Sequence, residues 1–185
     1  MSESMKIEKL KNYGVPSYIL DIWEENYSPY LLPLQEDAVK KYGVLNCGEN
    51  EIHPHPALSP QGRGNDRNKN LLVIAPTSSG KTFIGEMAAM AQVIHLQKII
   101  YLVPLRALAD EKYRHFKNLY NHCGMDIVIS TRDRNEDDHH IISGDYDIAV
   151  MAYEKFNYFC LKCPHFLDIV SLIIIDEMQL INDSK

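Results

Sequence analysis

Residues 71–82 read LLVIAPTSSGKT, an apolar run that ends in a small, hydroxyl-rich turn and then in Gly80-Lys81-Thr82. The run has the length of a strand, and the stretch from Lys81 to about His95 carries its apolar side chains at helical intervals, so the turn stands at a strand-to-helix junction. A loop that cradles phosphate needs converging backbone N–H groups, a helix N-terminus behind them, a lysine for the outer phosphates and a hydroxyl for Mg²⁺. Thr77, Ser78, Ser79 and Gly80 would line such a loop, Lys81 would supply the cation and Thr82 the hydroxyl. Ala75 stands where the general pattern has glycine. The competing reading is a small polar turn before an ordinary helix, and the placement of Gly-Lys-Thr at the junction favours the phosphate loop.

Outward from this stretch the chain repeats the same grammar. Four further apolar runs follow LLVIAP: IIYLVP, DIVIST, DIAVMAY and SLIIIDE. Each is apolar on consecutive positions, as strands of a parallel sheet buried on both faces are. Helical stretches lie between them, from Arg106 to about Cys123 and from Glu154 to about Cys163. This alternation predicts an α/β fold, a doubly wound parallel sheet with right-handed crossovers and ligands at the carboxyl ends of the strands. Ahead of it, residues 1–47 read as short helices interrupted by Pro16 and Pro33. Residues 48–70 are rich in proline, glycine and polar side chains, and are expected to be a disordered, functionally neutral insertion loop. His53 and His55 within it have no third ligand nearby in sequence, which favours solvated loop over a metal site.

A second chemical signal closes the last run. In Ile173-Ile174-Ile175-Asp176-Glu177 a carboxylate ends a buried strand, a costly position unless it meets a cation. In a nucleoside triphosphatase Asp176 would hold the Mg²⁺ that bridges the outer phosphates, and Glu177 would orient or deprotonate the attacking water.

Composition limits the rest. In 185 residues, 19 basic against 25 acidic side chains leave a net charge of −6, so any nucleic-acid contact must be local rather than driven by bulk charge. No apolar run approaches the length needed to cross a bilayer and the start MSESMKIEKLKNYG lacks a signal core, which sets the expectation of an intracellular, cytoplasmic protein with no membrane partner. Cys47, Cys123, Cys160 and Cys163 are too scattered for a disulfide framework, and the Cys160/Cys163 pair is half a zinc or redox motif at most.

APTSSGKT, PLRALADEKY and DEMQ, in this order and at this spacing, resemble motifs I, Ia and II of the superfamily-two DEAD/DEAH-box-like helicases, in the branch of repair helicases and exosome-associated helicases. In that branch the loop commonly begins Ala-Pro-Thr, which accounts for Ala75. The resemblance runs from about Tyr30 onward and implies a RecA-like first motor domain that uses ATP and Mg²⁺. It implies roles for single residues too: Gln35 for adenine, Lys81 for phosphate, Thr82 and Asp176 for Mg²⁺, Glu177 as the catalytic base, and Gln179 for coupling to nucleic acid. Arg106 matches the motif Ia arginine that contacts a nucleic-acid phosphate. Thr131, the second residue the resemblance implies for nucleic-acid binding, lies in Ser130-Thr131-Arg132-Asp133, in place of a Ser-Thr-Gly-Asp element, and Ala152 stands where a phosphate-contacting threonine is usual.

The likeness also sets an expectation about what lies beyond Lys185. Relatives continue into a further motif III strand, which in this class lies between the strands leading to Lys81 and to Asp176, and into a second RecA-like domain. The fold is accordingly expected to be incomplete at the C-terminus, so that either the two flanking strands close up or a missing segment or partner fills the gap between them. The domains read 1–47 helical, 48–70 insertion and 71–185 partial RecA-like unit. The expected function is the ATP-binding first motor domain of a helicase acting on DNA or RNA; the alternative is a truncated, catalytically weak nucleotide-binding or interaction module. A translocase motor of a restriction or remodelling enzyme shares motifs I and II but fits PLRALADEKY less well.

Overall fold

A computed structural model describes residues 4–46, 70–76 and 79–183. The insertion expected over 48–70, with His53 and His55, lies outside the described residues except for Asn70, as do Cys47, Thr77 and Ser78. The chain divides into two compact units, Met1–Ile84 and Gly85–Lys185.

In the first unit a 3₁₀ turn, Ile7–Tyr13, ends at Gly14 with φ +84, a left-handed conformation that glycine adopts without strain. The helix α1, Ser17–Asn26, follows Pro16, whose fixed φ suits the residue before a helix. It buries Ile19, Leu20, Ile22 and Trp23, and the first apolar positions of the chain, Ile7 and Leu10, are buried as well. Trp23 meets the ring of Phe83 edge-on at 5.3 Å, and Tyr27 lies 4.3 Å from the same ring. Burying a side chain of this size contributes on the order of 1.5–3 kcal/mol, so Trp23 and Phe83 anchor the unit. The helix α2, Pro33–Lys40, starts with proline where a missing N–H costs nothing and buries Gln35, Ala38 and Val39. Hydrogen bonds from Ile7 N–H to Pro29 O (2.9 Å) and Leu31 N–H to Met5 O (2.8 Å) tie the segment before α2 to the chain start.

The helix α3, Lys81–Val93, begins at the predicted lysine. The second unit then holds β1, Lys98–Val103; α4, Arg106–Tyr120; β2, Ile127–Ser130; α5, Asp138–Ser143; β3, Ile148–Ala152; α6, Tyr153–Lys162; and β4, Val170–Ile175. All four strands are parallel, in the order β2-β3-β1-β4, with Ile100 of β1 opposite both Ala149 of β3 and Ile173 of β4. This is the α/β parallel arrangement expected from the alternating pattern, and it is consistent with the RecA-like sheet that the resemblance implies. The apolar runs of β2 and β3 are buried throughout, and so is β1 after Lys98. Their side chains meet a core of Ile141, Tyr146, Phe159 and Phe166 that includes Leu102 and Met151. On α4, Phe116 meets Tyr101 edge-on at 5.3 Å. Gly85 admits close approach of α3 to the sheet, since a Cβ there would lie 3.3 Å from Ile174 Cγ2 and 3.5 Å from the Tyr101 hydroxyl.

Two expectations need correction. Residues 71–76 form no strand, and Leu72 and Ile74 are 65% and 84% exposed. An apolar run becomes a strand only where a neighbour supplies the ladder, and no described residue supplies one to this segment. The run of β4 was expected to be buried on both faces, yet Ile173 and Ile175 remain partly exposed. Among the described residues β4 pairs with β1 alone, and its exposure alternates, so Ser171, Ile173 and Ile175 share one face that is less covered than the faces of the inner strands. The short helix α5 is an addition that the sequence pattern did not announce.

Candidate functional site

The described residues of the first unit that were expected to form a phosphate loop hold one another in place. Lys81 Nζ donates to the carbonyls of Ala75 and Pro76, both at 2.7 Å, so the ammonium lies back across the loop. Ser79 Oγ donates to Pro76 O at 2.7 Å. Gly80 has φ +79, and a Cβ there would lie 2.2 Å from Gln35 Nε2, so both conformation and space demand glycine. Thr82, in the first turn of α3, is exposed. The free amides of that turn point along the helix axis, where an anion is favoured.

Gln35 is brought to this loop from 45 positions away: its Nε2 donates to Gly80 O at 3.2 Å, and its Oε1 accepts the Leu32 N–H at 2.8 Å. The second bond satisfies an amide at the start of α2, which explains how a carboxamide only 6% exposed is tolerated. A carboxamide has two N–H donors and two acceptor lone pairs, so one of each remains beyond these two bonds.

In the second unit β4 delivers Asp176. Its N–H continues the ladder to Leu102 O at 2.9 Å, fixing the carboxylate just past the strand end. Oδ2 accepts the Tyr101 hydroxyl at 2.7 Å and faces Lys112 Nζ at 3.4 Å, while Oδ1 accepts the Glu177 N–H at 3.0 Å. Tyr153 donates its hydroxyl to Asp176 O at 2.6 Å; burial first, and then the charges of Asp176 and Glu177, push that hydroxyl up to about 12. Glu177 sits at φ +52, a left-handed conformation rare for a residue with a side chain, which bends the chain sharply after the strand. The Gln179 side chain donates to the Glu177 carboxylate, so these two predicted residues are in contact.

Thr82 in the first unit offers a hydroxyl and Asp176 in the second a carboxylate, each an oxygen donor of the kind that suits Mg²⁺.

Arg106, the first residue of α4, pairs with Asp133 and lies 3.9 Å from Glu154. Thr131 is buried: its N–H donates to Arg134 O and its hydroxyl accepts the Arg134 N–H at 3.2 Å, so it shapes the turn that carries Asp133 to Arg106. Ser130 donates to Asp138, which also pairs with Lys155 at 2.6 Å. Ala152 is buried at the end of β3.

Sequence reading missed Tyr101, Lys112 and Tyr153 around Asp176. The only hint was a hydroxyl inside the otherwise aliphatic run IIYLV. It also missed Glu86, a buried carboxylate of α3 that accepts the Tyr120 hydroxyl and meets His115 Nε2 at 2.8 Å. Cys123, Cys160 and Cys163 are free thiols; burial raises the first two, and no cluster of metal-ligating side chains occurs among the described residues. None of the described helices is long and apolar enough to cross a membrane.

The sequence pattern of the DEAD/DEAH box helicases matches residues 59–185. Among curated proteins, the chain is 38% identical over 154 residues to the ATP-dependent DNA helicase Hel308 of Methanocaldococcus jannaschii, covering 80% of this chain and 12% of that protein. It is 36% identical over 153 residues to the protein of the same name from Pyrococcus abyssi, 76% of this chain and 21% of the other. The corresponding protein of Methanocella arvoryzae is 30% identical over 178 residues, 94% of this chain and 21% of the other. The chain thus spans only about a fifth or less of the length of these relatives.

Proposed function

Because the chain belongs to the DEAD/DEAH box helicase family, we propose that it is the ATP-binding first motor domain of an ATP-dependent DNA helicase, in which hydrolysis of Mg-ATP drives translocation and strand separation. The observation that carries this reading is Lys81 folded over the carbonyls of Ala75 and Pro76 at the head of α3, a cation held beside helix amides and ready to exchange backbone oxygens for phosphate oxygens. The names of the relatives favour DNA over RNA as the nucleic acid.

In this reading Thr77, Ser78, Ser79 and Gly80 offer backbone amides to the phosphates, and Gln35 uses its spare donor and acceptor for the adenine edge. Thr82 and Asp176 would hold Mg²⁺, which supplies charge neutralisation across the outer phosphates when bound. Glu177 orients the attacking water and takes its proton, and it must first part from Gln179, whose release couples nucleotide to nucleic acid. Arg106 contacts a strand phosphate, positioning the strand without reading its sequence. The turn held by Thr131 sets the arginine's counter-charge. A helical segment 1–47, an insertion 48–70 and a RecA-like portion 71–185 are the organisation we infer, with a second RecA-like domain and nucleic acid as partners and the cytoplasm as the setting.

Turnover measured with single-stranded DNA, single-stranded RNA and neither tests the proposal. Lys81→Ala should reduce turnover by at least about 10²-fold, the scale of losing one transition-state charge donor. Glu177→Gln should keep nucleotide binding and lose hydrolysis; equal hydrolysis by Glu177→Gln would remove it as the base. The engagement of Glu177 by Gln179 favours the second reading, a nucleotide-binding module with little turnover, which binding without DNA-stimulated hydrolysis would support.

A further inference from the structure

We propose that Lys112 is a resident counter-ion for Asp176, which a divalent cation must displace, and that metal capture therefore loosens a tether between this carboxylate and the helix that begins with Arg106. The inference rests on Asp176 being a metal carboxylate. Its evidence is independent of that assignment: Asp176 and Lys112 are 11% and 15% exposed at the side chain, with Oδ2 and Nζ 3.4 Å apart. Lys112 also lies 5.7 Å from the centre of the Tyr101 ring, and the Tyr101 hydroxyl binds the same Oδ2. The ammonium is thus steered onto one oxygen from a shielded position.

A carboxylate this shielded needs a cation near it at all times. Lysine suits a temporary one. It is a compact point charge on a flexible stem, with no planar fork to lock a two-point bridge, and a separation of 3.4 Å marks an ion pair that is not closed tightly. A divalent ion on Asp176 repels the ammonium, so the two cations compete for the carboxylate. Lys112 belongs to α4, whose first residue is Arg106, itself paired with Asp133. Exchange of the cation at Asp176 thereby removes one of the contacts that hold α4 against the end of β4.

The experiment titrates MgCl₂ against binding of a fluorescent N-methylanthraniloyl-ATP by the whole chain, alongside thermal unfolding in EDTA. Lys112→Met should lower the melting temperature in EDTA and lower the Mg²⁺ concentration for half-maximal binding by about fivefold or more, the scale of one unit charge about 4 Å away at the dielectric of water. Lys112→Gln, which keeps a polar end, should shift the Mg²⁺ midpoint the same way, and Lys112→Arg, whose planar fork can lock onto the carboxylate, should raise it. An unchanged or higher Mg²⁺ midpoint in both neutral variants would overturn the proposal, because a group that only orients the carboxylate would weaken metal binding when lost. Asp176→Asn separates the premise: it should abolish the Mg²⁺-dependent part of binding, and if that part survives, the metal assignment fails and the proposal with it.

Discussion

Replacing Tyr146 by phenylalanine should stabilise the protein. Tyr146 is 1% exposed in the core formed by Ile100, Ile141, Ala149 and Phe166, and its hydroxyl has no hydrogen-bond partner among the described residues. Burying a hydroxyl without a partner costs on the order of 1–3 kcal/mol in protein mutants, whereas the ring contributes its full burial in either residue. The oxygen-sized void left by the substitution offsets this by a few tenths of a kcal/mol at about 24 cal/mol per Å³. A net gain of about 1–2 kcal/mol follows, read as a higher urea midpoint at unchanged slope in equilibrium unfolding. The pH dependence adds a signature. Burial pushes the hydroxyl from 10.0 up to about 12, so the neutral form is favoured in the folded state. The stability linked to this group is whole below about pH 10 and is lost as pH rises through about 12, because the unfolded chain ionises first. Tyr146→Phe should lack that loss, and its advantage should widen above pH 10. A lower urea midpoint at pH 7 would refute the reasoning and show that the hydroxyl is satisfied.

Two further substitutions probe the site. Gly80→Ala should lower stability by about 1–2 kcal/mol from its left-handed backbone alone and weaken nucleotide binding further, because the new Cβ drives Gln35 off the loop; isothermal titration with ATP checks it, and unchanged affinity would count against Gln35 bracing the loop. Asp133→Asn should raise affinity for single-stranded DNA by about twofold to fivefold, the range of an exposed ion pair, by freeing Arg106 from a competing carboxylate. Fluorescence anisotropy at low and moderate salt reads this, and the gain should vanish when Arg106→Ala is added.

Much of the site was legible in local sequence because its chemistry is local. Gly80 must be glycine for its backbone angle, Lys81 must open a helix, and Asp176 must end a strand, and each requirement leaves its trace within a few residues. The strand-and-helix alternation was legible for the same reason, since periodicities of two and 3.6 are properties of neighbouring side chains. The partners of those residues left no such trace. Lys112 is one of two lysines on α4, and only the packing of that helix turns it toward Asp176. Tyr101 and Asp176 lie 75 positions apart. Thr131 matched a nucleic-acid element by position, and only the tertiary structure shows that the turn closed by Arg134 buries it.

The residue pattern thus determined the helices α3, α4 and α6, the inner strands β1 and β3 with β2 beside them, and the residue types proposed for a phosphate, a metal and a water. Tertiary structure decided the strand order β2-β3-β1-β4, the place of β4 at its end, and that residues 71–76 join no strand ladder among the described residues. It also decided that Gln35 braces Gly80, that Asp133 covers Arg106 and that Lys112 faces Asp176. A side chain's intrinsic preference is written in its own neighbourhood, whereas ladder hydrogen bonds and ion pairs depend on which distant segment arrives beside it.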